Sequence, residues 1–247
     1  MMLYIALLAV AVGLMVSFRQ CSTKRIGPAP DAQAGGDTLN VAIEISPTSL
    51  SLSGDSLSGT YYDLLRQACA RHGQPLKFHP YTRFEDALQW LDEGRCRLIV
   101  GDLPVTAELR DRLIFLDPVG IDKQVLVQRT DTAGNPEVKT QFDLAHRTVY
   151  IPSNSPYMQR LRNLSREIGD TIYISENPDY SPEQLVILTA LGDIPMTVVS
   201  AATARSLAPK YDNLNASVEI SLNQFQSWAL APSDTLLQRQ LNGWLAE

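Results

Sequence analysis

The stretch Leu98–Pro118, LIVGDLPVTAELRDRLIFLDP, changes hydrophobic period several times within one short segment, and that punctuation restricts the folds open to the chain. Leu98, Ile99 and Val100 form an unbroken apolar run, the pattern of a parallel strand covered on both faces. Gly101, Asp102 and Pro104 are expected to end it. Thr106 stands where an N-cap belongs, and Glu108 puts a negative charge in the first helical turn. Leu113, Ile114 and Phe115 resume an apolar strand before Asp117-Pro118 turns the chain. A strand whose carboxyl end opens at a helix N-terminus is where open α/β sheets hold ligands, because unpaired backbone N–H groups point outward there. The same residues also suit an ordinary strand-to-helix connection with Arg110 and Arg112 in solvent.

The alternation extends in both directions. Upstream, Leu39–Ile45 reads as a buried strand, Ser49–Ser58 as a loop or hairpin tip, and Gly59–His72 as an amphipathic helix through Tyr61, Leu64, Leu65, Ala68 and Cys69, stopped by Gly73. Leu76–Pro80 is a strand and Arg83–Gly94 a second helix. Downstream, Lys123–Arg129 is a strand and Thr130–Lys139 a polar loop. A second series follows with strands at Thr148–Ile151, Thr171–Ile174 and Met196–Val199, and helices at Ser155–Ile168 and Ser181–Leu191, the latter with Ser181 as cap and Pro182 in its first position. Thr203–Leu207 is a short helix, Val218–Ile220 and Gln226–Ala231 are strands, and Ser233–Leu245 closes the chain as an amphipathic helix. Two similar α/β lobes are implied.

Composition narrows the function. The chain has 247 residues, 45% hydrophobic and 19% charged, so a folded core is expected. Its net charge of −6 and scattered basic residues argue against nucleic acid. Its three histidines, His72, His79 and His146, are far apart, and no Cys/His spacing fits a metal site; neither a metal nor a cofactor is expected. Cys69 and Cys96 read as small core residues, a Cys69–Cys96 disulfide being the alternative in an oxidising compartment. Met1–Phe18 is uncharged and would be about 27 Å long as a helix, near the thickness of a bilayer core, so residues 1–18 read as a membrane anchor or export segment. Residues 19–38 read as a tether, with GPAPDAQAGGD from Gly27 to Asp37. Cys21 is a lipidation candidate, although Phe18-Arg19-Gln20 lacks a small residue just before it. Arg19, Lys24 and Arg25 would by charge count stay cytoplasmic, but long domains cross largely regardless of flanking charge.

The stretches LNVAIEI, GTYYDLLRQACARHG, EGRCRLIVGDLPVTAELRDRLIFLDPV, KQVLVQR, IPSNSPYMQRL and SPEQLVILTALGDIPMTVVSAATA, in this order, resemble the family 3 extracytoplasmic solute-binding proteins. That group includes polar amino-acid binding proteins and the sensor half of membrane-bound lytic murein transglycosylase F. The resemblance implies an α/β, two-lobed fold of the type II periplasmic-binding-protein kind. Lobe 1 would comprise residues 39–122 and 232–247, and lobe 2 with the two crossover strands, Lys123–Arg129 and Gln226–Ala231, residues 123–231. Ligand would lie in the cleft between lobes, lined by Pro47, Thr48, Asp102, Leu103, Thr106, Arg110, Ser153, Ser155, Tyr157 and Ser200.

Two departures stand out. Amino-acid binders place a carboxylate-clamping arginine three residues after the equivalent of Thr106, where this chain has Leu109; its arginine comes one later, at Arg110, about 100° further round a helix. Where those binders carry an ammonium-pairing aspartate, this chain has Ser200. No G-x-S-x-G, S-x-x-K, P-loop or G-x-G-x-x-G motif occurs, and the chain ends at Glu247, too early for a transglycosylase domain. Some relatives of the fold are dehydratases, so Asp102 or Glu44 would be the carboxylate to suspect in an enzyme. The expected function is not catalysis. It is binding of a small polar ligand, an amino-acid derivative or cell-wall peptide fragment, by a protein tethered on the periplasmic side of the inner membrane, for delivery to a permease or an envelope partner. The alternative is a degenerate sensor domain acting as an envelope interaction module.

Overall fold

Leu39–Glu44 (β1) begins a computed structural model that describes residues 38–53 and 56–247. Its residues alternate between two cores. Val41 and Ile43 face a layer made by helices Thr60–Arg71 (α1) and Thr235–Leu245 (α7), through Leu65, Cys69, Leu237 and Leu241. Ala42 faces Phe84–Asp92 (α2), through Ala87, Leu88 and Leu91. A sheet covered by helices on both faces is what the continuous apolar runs require. Around β1 the six-stranded sheet places Leu76–Tyr81 (β4) and Leu98–Pro104 (β5) as parallel neighbours. Gln224–Leu230 (β13) then pairs antiparallel with β5, and with the short strands Ile114–Phe115 (β6) and Gly120–Asp122 (β7). The Ser-rich segment before α1 is a hairpin, Ser51–Ser53 (β2) with Ser56–Ser58 (β3). Gly59 leads into α1 where a Cβ would sit 2.2 Å from the Ser49 carbonyl oxygen, so only glycine lets the chain pass.

The second lobe repeats the plan. Its five-stranded sheet runs Tyr173–Asn177 (β10), Thr148–Pro152 (β9), Met196–Ser200 (β11), Gln124–Arg129 (β8) and Leu214–Glu219 (β12). The first three are parallel, and β8 is antiparallel to both β11 and β12. Tyr157–Ile168 (α4) covers one face through Leu161 and Leu164. Pro182–Leu191 (α5) and Ala201–Leu207 (α6) cover the other, through Val186 and Ala204. Ser181 caps α5 with a reciprocal capping box to Gln184, and Gly192, at φ 90°, ends it in the left-handed conformation.

Several expectations need correction. The central strand does not stop at Gly101; it runs to Pro104, because Leu103 and Pro104 find partners in Ser227 and Gln226 across an irregular stretch of β13. The segments expected to be crossovers are sheet strands: β8 belongs to lobe 2 and β13 to lobe 1. The chain passes between sheets at residues 122–124 and 220–224, where the Gln124 N–H donates to Ser221 Oγ at 2.9 Å and the Ile220 N–H to the Gln124 carbonyl at 2.8 Å. The second expected crossover strand, Gln226–Ala231, thus falls largely within β13, which pairs in the lobe 1 sheet.

Cys69 and Cys96 are free, buried thiols, not a disulfide. They pack in the two separate core layers on opposite sides of the sheet, and burial pushes their pKa values up to about 11 and about 12, so both stay protonated and inert. The proposed anchor over residues 1–18, Cys21, and the tether up to residue 37 lie outside the described residues. Among the described residues no helix is long and apolar enough to cross a membrane.

Candidate functional site

The carboxyl ends of the parallel strands in the two sheets meet in one cavity. Lobe 1 contributes Glu44 at the end of β1, Asp102, Leu103 and Pro104 on β5, and the Thr82–Phe84 turn after β4. Lobe 2 contributes Pro152 and Ser153 after β9, Ser155 to Tyr157 at the start of α4, Asn177 at the end of β10, and Ser200 at the end of β11. Lys123, Gln124, Gln224 and Gln226 complete it at the hinge. The cavity volume is about 60 Å³.

Its floor is acidic. The Asp102 N–H donates to Glu44 Oε2 at 3.1 Å, which brings the two side chains together. Asp102 Oδ1 accepts from the Tyr61 hydroxyl at 2.9 Å, and its carboxylate also accepts from the Thr48 side chain. Burial pushes the Glu44 carboxyl up to about 8, and the Asp102 and Glu183 charges push the same way; the Asp102 amide and Ser46 pull back. Asp102 is raised, first by burial, against the pull of Tyr61 and Thr48. Glu183, held by the Ser181 hydroxyl at 2.8 Å, is raised by burial as well. Burial above all, and then the charges of Glu44, Glu183 and Asp102, push the Tyr157 phenol of lobe 2 well up, so it stays protonated.

Gly101 makes the approach possible. A Cβ there would lie 2.7 Å from Tyr81 Oη and 3.0 Å from Glu44 Oε2. Gly101→Ala is expected to displace Glu44 from the Asp102 amide and to cost about 1–3 kcal/mol, the usual range for overpacking. Urea denaturation checks this, and an unchanged midpoint would show that the shelf tolerates a methyl group.

Of the residues selected from sequence, Asp102, Leu103, Ser153, Ser155, Tyr157 and Ser200 line this cavity. Ser200 also caps α6, its Oγ accepting from the Thr203 N–H at 3.0 Å. Thr48 sits behind Asp102 and positions it, its carbonyl accepting from the Tyr61 N–H at 3.2 Å. Pro47 is half-buried beside it and does not line the cavity. Thr106 lines an outer groove with Arg112 and Arg162, and its Oγ1 accepts from the Leu109 N–H at 3.3 Å as the cap of Ala107–Arg110 (α3). Arg110 is exposed in the last turn of α3 and lines neither space, because the extra residue rotates it away from the cleft. Gln124 and Gln226 were missed. The signal was there, since a glutamine inside an apolar strand has to be satisfied by something.

The sequence profile described as bacterial extracellular solute-binding proteins, family 3, matches residues 39–247. Among curated relatives, membrane-bound lytic murein transglycosylase F of Shewanella loihica is 24% identical over 230 residues, covering 92% of this chain and 47% of the relative. The corresponding protein of Aeromonas salmonicida is 27% identical over 200 residues, covering 80% of this chain and 39% of its own length. The chain thus spans about half the length, or less, of the curated relatives it matches. Among solved structures, holo arginine-binding protein from T. maritima superposes with a TM-score of 0.72 at 23% identity, covering 85% of this chain and 89% of that one. An ancestral arginine-binding protein bound to arginine gives 0.73 at 18% identity, covering 85% and 92%. With two mixed sheets hinged at residues 122–124 and 220–224, and a profile match from residue 39 to residue 247, this chain belongs to the bacterial extracellular solute-binding proteins of family 3.

Proposed function

We propose that the chain is a membrane-tethered, extracytoplasmic solute-binding protein that closes its two lobes over a small polar ligand without transforming it. One observation carries the reading: Ser155 Oγ, Gln124 Oε1 and Gln226 Oε1 are buried, have no hydrogen-bond partner, and belong to side chains that line the inter-lobe cavity. Leaving a buried polar atom unpaired costs about 1–3 kcal/mol, and three around one space are most simply accounted for by a guest that pairs with them. Hinged lobes suit the task, because closure removes water and strengthens each polar contact. The sequence of residues 1–38 supports a tether that would hold the domain on the periplasmic side of the inner membrane, beside a permease or another envelope partner.

A thermal-shift screen of amino acids, dipeptides, muropeptides and simple amines tests this. A ligand that binds only the folded state at 100 times its dissociation constant adds about 2.7 kcal/mol and raises the midpoint. No shift with any compound would favour the second reading, an envelope interaction module. That reading has its own support in the exposed apolar side chains of Ile121, Leu222 and Phe225 at the hinge, the first and last being paired neighbours on β7 and β13.

A further inference from the structure

We propose that the guest of this cleft is an aliphatic organic cation with no carboxylate of its own, an amine or guanidinium of the diamine class, in place of a zwitterionic amino acid. The inference rests on the cleft being a solute site, and it follows from the balance of donors and acceptors around the cavity.

The acceptors are in excess. Glu44 and Asp102 line the cavity, and among the described residues no lysine or arginine forms an ion pair with either. The cations nearby are engaged elsewhere: Lys123 with Glu219, Arg83 with Glu85 and Asp86, and the exposed Arg205 with Asp122 at 3.9 Å. Independently of the carboxylates, Gln124 is 4% exposed and Gln226 is 5% exposed, both line the same space, and neither Oε1 has a donor. Their amide nitrogens are turned to Gln224, at 3.5 Å and 3.4 Å. Two carboxyl groups and two buried amide oxygens around one cavity suit a group made of N–H donors alone, since a cation entering there draws the raised Glu44 carboxyl back to its ionised form. An ammonium has three and a guanidinium five, and neither has an acceptor to leave unpaired.

The two cations that line the cavity, Arg83 and Lys123, are already paired with Glu85 and Asp86 and with Glu219, so a carboxylate on the guest would have to draw one of them away. Leu109 stands where the family resemblance assigns the arginine that clamps an amino acid's carboxylate, and Arg110 is exposed outside the cavity. An α-carboxylate beside Asp102 would push the Glu44 carboxyl, already raised to about 8, still further toward its neutral form.

The test uses matched pairs differing only by the carboxylate, agmatine against L-arginine and cadaverine against L-lysine, titrated calorimetrically into the detergent-solubilised full chain. Each decarboxylated amine is expected to bind at least about tenfold more tightly than its amino acid, and Glu44→Gln to weaken agmatine by about tenfold or more through loss of a buried charge pair. The thermal midpoint of the variant reports that it folds, and Asp102→Asn provides the same readout from the second carboxylate. Arginine or lysine binding as tightly as its amine, binding by neutral or acidic solutes alone, or an affinity indifferent to both substitutions overturns the proposal and leaves the cleft a solute site. Binding by no member of a panel that also contains amino acids and dipeptides overturns both.

Discussion

Glu44→Gln is expected to raise the melting midpoint of the unliganded protein at pH 8 and to flatten its pH dependence. The Glu44 carboxyl has an ordinary value of 4.5 and is pushed up to about 8 in the folded chain by burial and by the neighbouring Asp102 and Glu183 charges. A carboxyl raised on folding binds its proton more tightly in the folded state, so its stabilising contribution is complete below about pH 4.5 and is lost as the pH climbs through about 8. The wild-type protein should therefore lose stability across that window, by an amount on the order of 3 kcal/mol from this group. Glutamine keeps the shape and carries no charge. For a chain of this size the gain at pH 8 corresponds to roughly 5–10 °C. Asp102 and Glu183, raised in the same direction, leave a smaller slope in the variant. Differential scanning calorimetry from pH 5 to pH 8.5 is the measurement, and superimposable profiles for the two proteins would refute the account.

Trp228→Ala is expected to be the most damaging single truncation in lobe 1, at about 3–5 kcal/mol. Trp228 is fully buried on β13, and its ring meets Tyr61 edge-on at 5.6 Å between centroids. It packs in the same layer as Ile43, Leu65, Val100 and Leu230, so the cavity left behind would open at the centre of the sheet. The damage should reach the site, because Tyr61 is the phenol that donates to Asp102 at 2.9 Å and would lose its packing partner. The Trp228 indole N–H has no partner among the described residues, so Trp228→Phe removes an unpaired donor along with some volume and should cost well under the alanine variant. Urea denaturation followed by circular dichroism separates the two. A loss of under about 1 kcal/mol for Trp228→Ala would mean that β13 is held by its ladders and not by this ring.

The order of strands and helices was legible because each element writes its own period. Continuous apolar runs mark β1, β5, β8 and β11, and the i, i+3, i+4 spacing marks α1, α2 and α7. Even the caps at Thr106 and Ser181 could be located, since they act within a few residues of themselves. Ser153, Ser155, Tyr157 and Ser200 line the cavity for a related reason: each lies at or beside the end of an element, which is where the cavity lies.

Pairing across the chain was not legible. Nothing near Gly101 shows that the strand continues to Pro104, because its partners Ser227 and Gln226 come from the far end of the chain. The same holds for the hinge, where the apolar pattern of β8 and β13 identifies strands and leaves their sheets undetermined. The placement of Arg110 was not legible, because a charge on a short helix reads alike whether it faces a cleft or solvent, and a single residue of offset decides which.

By itself the sequence determined the α/β class, the repeated lobe plan and the ends of most elements, since these follow from spacings and side-chain chemistry over a turn or two. Tertiary structure alone decided that Glu44, Asp102, Gln124 and Gln226 share one cavity and that Cys69 and Cys96 lie on opposite sides of a sheet. The difference has a physical origin. Local periods depend on the backbone geometry of neighbouring residues, whereas the raised carboxyls and unpaired amides arise only when segments distant in sequence exclude water from the same small volume.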